Sequence, residues 1–252
     1  MTQGEKVNPG TWRLPEGPRP LRLDLLVFPP GLSVLVLAPH PDDFDETGVT
    51  LRRLHESGAR IRLLVCSSSA NGVDDAGCVP PTDEDKAALR EREQLDSAAF
   101  FGLGGEQTKF LRLPVKEGGY LKDDPASYCA VEAEAAEFRP RLVFLPHGRD
   151  TNPDHRLVYA WWIRLKTILR EEPQALLFRD PKTISLREDA VCAFGGDAAS
   201  WKRTLLLFHR SQQARNLRTR GSGFDERILE VNRDSAARLG LAEPFAELFE
   251  IG

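Results

Sequence analysis

At 252 residues, 41% of them hydrophobic, the chain can bury a sizeable core, and one domain over 1–252 is expected, with a proline-rich lead-in at 1–30. Its 34 basic and 38 acidic residues, net charge -4, argue against a dominant phosphate-binding face, so nucleic acid is not expected as a main partner. No leader pattern and no bilayer-length apolar run appear, so a cytoplasmic protein without membrane insertion is expected, and four cysteines lacking CxxC spacing read as reduced and structural.

In chain order, "LSVLVLA" (32–38) predicts a strand, "ETGVTLRRLHESG" (46–58) a helix and "RIRLLVCSS" (60–68) a second strand, which together make a βαβ unit. A helix over "DEDKAALREREQLDSAAFFG", a strand in "TKFLRLP", a helix in "DPASYCAVEAEAAEF" and a strand in "RLVFLPH" continue the alternation. Beyond them come a helix from about Asp154 to Arg170, shorter strands between Ala175 and Phe194, helices within 197–218 and 224–239, and a closing strand in "FAELFEI". The alternation predicts an α/β fold with a Rossmann-like, mostly parallel sheet and helices on both faces. The topology of the last third is left open. "FGLGG" lacks the spacing and the preceding strand of a dinucleotide site.

In such sheets ligands gather beyond the carboxyl ends of the strands. Two polar clusters stand at strand ends: His40-Pro41-Asp42-Asp43, and "LPHGRDTNPDHR" at 145–156. A spacing of three can bring His40 and Asp43 to one point while Asp42 takes another direction. With His155 they form a His-Asp-His donor set with an open fourth position, the arrangement of a catalytic zinc site whose bound water ionises near neutral pH. Asp42 is then the spare carboxylate that takes the water's proton. Asp-rich loops with proline are commonly only turns, and Asn152-Pro153-Asp154 reads as a helix start, with Asn152 as cap. Capping does not account for His155, whose charged form is disfavoured at that helix end. Asp150 reads as a partner of a ligand histidine, His55 as a surface residue, and Trp161-Trp162 as core.

"PHPDDFDETG", followed about a hundred residues later by "DTNPDHR", resembles the LmbE-like or PIG-L family of zinc-dependent deacetylases, which remove acetyl from N-acetylglucosamine-containing compounds. "LREREQLDSAAFFGLGG" (89–105) is similar to the family's R-x-x-E helix, and "FHRSQ" (208–212) to its H-x-S-Q segment. The resemblance implies zinc on His40, Asp43 and His155, Asp42 as general base and Arg90 near sugar hydroxyls; His209 itself reads as either packed in a helix or lining the site. Two positions depart from the pattern. Phe44 stands where the family has Glu, and Asn152 stands where it has the histidine that polarises the scissile carbonyl. His147 could replace that histidine, or the Asn152 amide could donate to the oxyanion.

These readings predict a zinc-dependent hydrolase acting on a small N-acetylated sugar or conjugate. The alternatives are a zinc amidase for a non-sugar N-acyl or thiol-conjugate substrate, and an inactive binding protein on the same fold. A homo-oligomer is left open.

Overall fold

Residues 8–252 are described by a computed structural model. The run Ser33–Ala38 is buried at every position, as a central strand covered on both faces requires, and forms β2. The other strands are β1 (Leu21–Arg22), β3 (Arg60–Val65), β4 (Thr108–Phe110), β5 (Leu142–Pro146), β6 (Gln174–Phe178), β7 (Ala190–Phe194) and β8 (Phe245–Ile251). They make one sheet in the order β1-β7-β8-β6-β5-β2-β3-β4. Every pairing is parallel except those of β8, which runs antiparallel between β6 and β7. The expected mostly parallel α/β sheet is therefore present, and β8 is the closing strand expected in "FAELFEI".

Among the described residues seven α-helices flank the sheet: α1 (Gly48–Glu56), α2 (Asp83–Phe101), α3 (Pro125–Phe138), α4 (Pro153–Leu165), α5 (Gly196–Leu206), α6 (Arg210–Arg220) and α7 (Phe224–Arg238). Local chemistry sets several of their starts. Thr82 and Asp124 accept backbone N–H bonds from Asp85 and Ser127, so α2 and α3 begin with side-chain caps. α2 ends where Gly102 turns left-handed at φ 108°. The two faces hold separate cores: Val34, Val36 and Ala38 join one with Leu51, Phe101 and Leu205, while Leu35 and Leu37 join Val131, Trp161 and Trp162.

One expectation needs correction. The helix from Asp154 ends at Leu165 rather than near Arg170. The described part of the lead-in, residues 8–30, is built into the fold: Leu14, Leu23 and Phe28 are buried, and Leu21–Arg22 pairs with β7. Prolines masked these isolated apolar anchors. All four cysteines are free, and burial pushes the Cys66 and Cys192 thiols up. Among the described residues no helix is long and apolar enough to cross a membrane.

Candidate active site

β2 and β5 are neighbours in the sheet. From β2 the chain moves outward to β3 and β4, and from β5 it moves the other way to β6. Their carboxyl ends thus flank a topological switch point, where strand-to-helix loops diverge and leave a crevice. Both polar clusters open into it. Ligand atoms of His40, Asp43 and His155 lie within 4.8 Å of one another, and all three residues are buried. Asp43 stands between the imidazoles, with Oδ1 3.3 Å from His155 Nε2 and Oδ2 3.4 Å from His40 Nδ1. It also accepts the His40 backbone N–H at 2.7 Å, which closes the tight turn.

Carboxylates hold the other edge of each ring. His155 Nδ1 lies 3.1 Å from Asp150 Oδ2 and 3.6 Å from Asp180 Oδ2, and His40 Nε2 lies 2.9 Å from Asp154 Oδ2. Such partners fix the tautomer and orientation of a metal-binding histidine. His155 Nε2 is buried with no hydrogen-bond partner, although buried nitrogens are almost always satisfied. Its 3.3 Å separation from Asp43 Oδ1 suits two corners of a tetrahedron with bonds of about 2.0–2.1 Å. The donor set fits a divalent metal ion.

The electrostatics are those of two imidazoles set among buried carboxylates. Burial presses the His155 imidazolium toward neutrality, but Asp43, Asp150 and Asp180 outweigh it and raise the group to about 10. Burial likewise opposes ionisation of Asp43, yet His155 and His40 hold it well below the ordinary carboxylate range. Glu46 goes the other way, pushed well above that range by burial and by the charges of Asp180 and Asp43.

Asp42 lines the same pocket at φ 117°, a left-handed backbone conformation unusual for any residue but glycine. Gln94 Oε1 accepts its N–H at 2.9 Å, and Arg90 Nη2 lies 3.0 Å from its carboxylate. Arg90, itself buried, also donates to the Pro41 carbonyl, so it lines the pocket with its guanidinium already engaged by the loop. Asn152 lines the pocket and caps α4, its Oδ1 accepting from Asp154 N at 3.0 Å. Pro153 takes the first helical position.

Two residues expected at the site are not in the pocket wall. His147 Nδ1 accepts from the Arg149 backbone N–H at 2.9 Å, and its Nε2 lies 3.1 Å from Glu250 on β8. Both ring nitrogens are thereby engaged by groups outside the pocket wall. His209 is fully buried 2.6 Å from Asp45, which also accepts from Ser97 and Gln94. That pair has a bracing role: Glu93 accepts from Ser211 N at 2.7 Å and Ser211 Oγ at 2.6 Å, so the R-x-x-E and H-x-S-Q segments clamp α2 to α6. Phe44, in place of the expected Glu, packs edge-on to Phe101 at 4.9 Å in the core. Trp161 and Trp162 are core residues, as expected.

Sequence reasoning missed four groups. Glu46 and Lys182 line the pocket, and Asp180 backs His155 from the loop after β6. "LLFRDPK" is another apolar run stopping in charge, the same signal that marks His40 and His155. The fourth is a second task of Asp154: beyond its place in the first turn of α4, it accepts from Leu121 N at 2.9 Å and holds His40.

The sequence profile of a family described as PIG-L: GlcNAc-PI de-N-acetylase matches residues 35–166, more than half of the chain. No curated protein matches by sequence. Among solved structures, N,N'-diacetylchitobiose deacetylase from Pyrococcus horikoshii superposes with a TM-score of 0.71 at 17% identity, over 87% of this chain and 83% of that one. The 4-carboxy-2-hydroxymuconate hydratase from Pseudomonas putida gives 0.67 at 16%, over 87% and 95%. A zinc-inhibited form of a teicoplanin deacetylase gives 0.66 at 16%, over 87% and 98%. At these identities the likeness is one of fold.

Proposed function

The chain belongs to the PIG-L family, and from that premise we propose that it is a zinc-dependent hydrolase that removes the acetyl group from an N-acetylated amino sugar or sugar conjugate. One observation carries the reading: His40, Asp43 and His155 converge at the switch point, with His155 Nε2 buried and free of any hydrogen-bond partner and the strained Asp42 in the same pocket. The mixed nitrogen and oxygen donors suit zinc. A cation held there would supply Lewis-acid polarisation of the acyl oxygen and lower the proton affinity of water.

The chain's own groups do the rest. Asp42 accepts a proton from the attacking water, and Arg90 at 3.0 Å keeps that carboxylate in position. Asn152 Oδ1 is committed to the helix cap, which leaves its Nδ2 hydrogens as donors to the oxyanion. His147 has no comparable claim, because its nitrogens are engaged elsewhere. The proton then passes to the departing amine, giving acetate and a free amino sugar.

Acetate release from a panel of N-acetylated sugars and non-sugar N-acetyl amides, with and without a chelator, tests the proposal. Release that the chelator abolishes and zinc restores is expected. A protein that binds zinc yet releases acetate from no sugar and no other N-acyl compound is the inactive binding protein. Release from non-sugar amides alone selects the amidase alternative.

A further inference from the structure

We propose that the pocket takes an N-acyl substrate bearing an oxyanion group, a phosphate ester or a carboxylate, held by Arg227 together with Arg220 and Arg215 on the α6–α7 wall. The acyl part of this statement rests on the deacetylase reading, whereas the anion site rests on the arginines alone.

The pocket, of about 240 Å³, is divided by charge. The loops after β2 and β5 line it with Asp42, Asp43, Glu46 and Asp154, while α6 and α7 line it with Arg215, Arg220 and Arg227. None of these three arginines forms an ion pair among the described residues. Two of their neighbours do: Arg218 on α6 meets Asp74 at 2.6 Å, and Arg238 on α7 is paired with Glu188. Arg210 and Arg233 on these helices form no ion pair either, Arg233 lying over the Phe245 ring, so what sets the three pocket arginines apart is that they converge on one cavity.

Arg227 carries the argument. It lies in the first turn of α7, where the helix dipole is positive and a cation is disfavoured. It is half-buried, and its one close polar partner is the neutral Asn216 Oδ1 at 2.6 Å. Burial and the nearby Arg220 both press its guanidinium toward neutrality. Glu46, Asp180 and Glu230 oppose that pressure only from beyond ion-pair distance, and a purely structural arginine would not be kept partly desolvated, beside a second arginine and a helix amino terminus, without a carboxylate in contact with it. Arg220 alone has a bland explanation, since it complements the carboxyl end of α6, and exposed Arg215 has another as a solvated residue. Neither explanation reaches Arg227. Guanidinium groups grip planar carboxylates and phosphates through paired N–H donors, so an oxyanion is the ligand whose chemistry answers this wall. Thr219 and Gln212, also in the lining, add neutral groups able to donate hydrogen bonds.

The test uses the full-length protein as purified, with Arg227→Gln and Arg227→Lys beside the parent. Binding of inorganic phosphate is measured by calorimetry, and acetate release is compared for N-acetylglucosamine, N,N'-diacetylchitobiose, N-acetylglucosamine 6-phosphate and N-acetylmuramic acid. The phosphorylated and carboxylated sugars distinguish the two sources of the oxyanion. Expected is at least a tenfold higher kcat/KM for one anionic sugar over the neutral ones, a ratio that collapses in Arg227→Gln through KM and is partly kept in Arg227→Lys. Phosphate affinity should fall at least tenfold in Arg227→Gln while metal content stays at the parental level. If no amide is hydrolysed but phosphate binding still depends on Arg227, the deacetylase reading fails and the anion site stands. Phosphate binding indifferent to Arg227→Gln, or neutral sugars turned over as well as anionic ones by the parent, overturns the inference.

Discussion

Asp42 combines two features that ordinary loop residues lack: a left-handed backbone at φ 117° and a carboxylate held 3.0 Å from a buried arginine. Strain of this kind persists where the surroundings over-determine it, here through Gln94 on the Asp42 N–H and Arg90 on the Pro41 carbonyl. Asp42→Asn should therefore retain fold and metal but lose on the order of 10²–10⁴ in kcat, because an amide cannot take the proton. Parental turnover by that variant would assign the base elsewhere. Asn152 separates stability from chemistry in a different way. Its Oδ1 caps α4, so Asn152→Ala should cost about 1 kcal/mol in denaturant unfolding, while Asn152→Asp keeps the cap. If Nδ2 serves the oxyanion, Asn152→Asp will be stable and slow; a stable, fast Asn152→Asp reduces Asn152 to a cap.

At the level of elements, α1 shows how a distant strand completes a helix. Its N-cap, Thr47, makes no side-chain cap bond; instead Glu247 on β8 accepts from Val49 N at 2.9 Å and Thr50 N at 2.8 Å. Fully buried Lys202 on α5 pairs with the same carboxylate at 2.6 Å and donates to the Glu46 carbonyl at 2.6 Å. β8, α1, α5 and the segment that carries Glu46 into the pocket are thus tied at one point. Removing one member of a buried pair typically costs about 3–5 kcal/mol, so Glu247→Ala should lose that much in chemical denaturation. Lys202→Met with Glu247→Leu should recover a large share, since no uncompensated charge remains; a double variant no better than the single would show that the helix cap, not the ion pair, dominates.

Across the whole molecule, the proposed metal joins the loops after β2 and β5, two segments more than a hundred residues apart that otherwise converge acid against acid. Binding to the folded state alone stabilises it by about 2.7 kcal/mol at a hundred times Kd. Zinc should accordingly raise Tm, a chelator should lower it, and His40→Ala or His155→Ala should abolish the difference because two remaining ligands hold the ion poorly. Equal zinc content and an equal Tm shift in both variants would remove the site from this position.

The sequence by itself determined the alternation of strands and helices, the parallel character of the sheet and the metal-type triad. Each is written in local signals: buried runs such as Ser33–Ala38, the cap-proline start at Asn152-Pro153, and ligand residues placed where apolar runs stop. Only the tertiary structure decided which of the remaining polar residues face the pocket. His147 and His209 have the right chemistry and the right neighbourhood in the chain, yet the first turns to Glu250 and the second to Asp45, partners 103 and 164 residues away. Asp180 and Lys182 reach the site from the loop after β6, which pairs with β5, and the three arginines reach it on α6 and α7, which lie between β7 and β8 in the chain. The insertion of β8 is a long-range pairing, and the direction of a buried polar side chain follows from whichever partner satisfies it, so neither can be read from local periodicity.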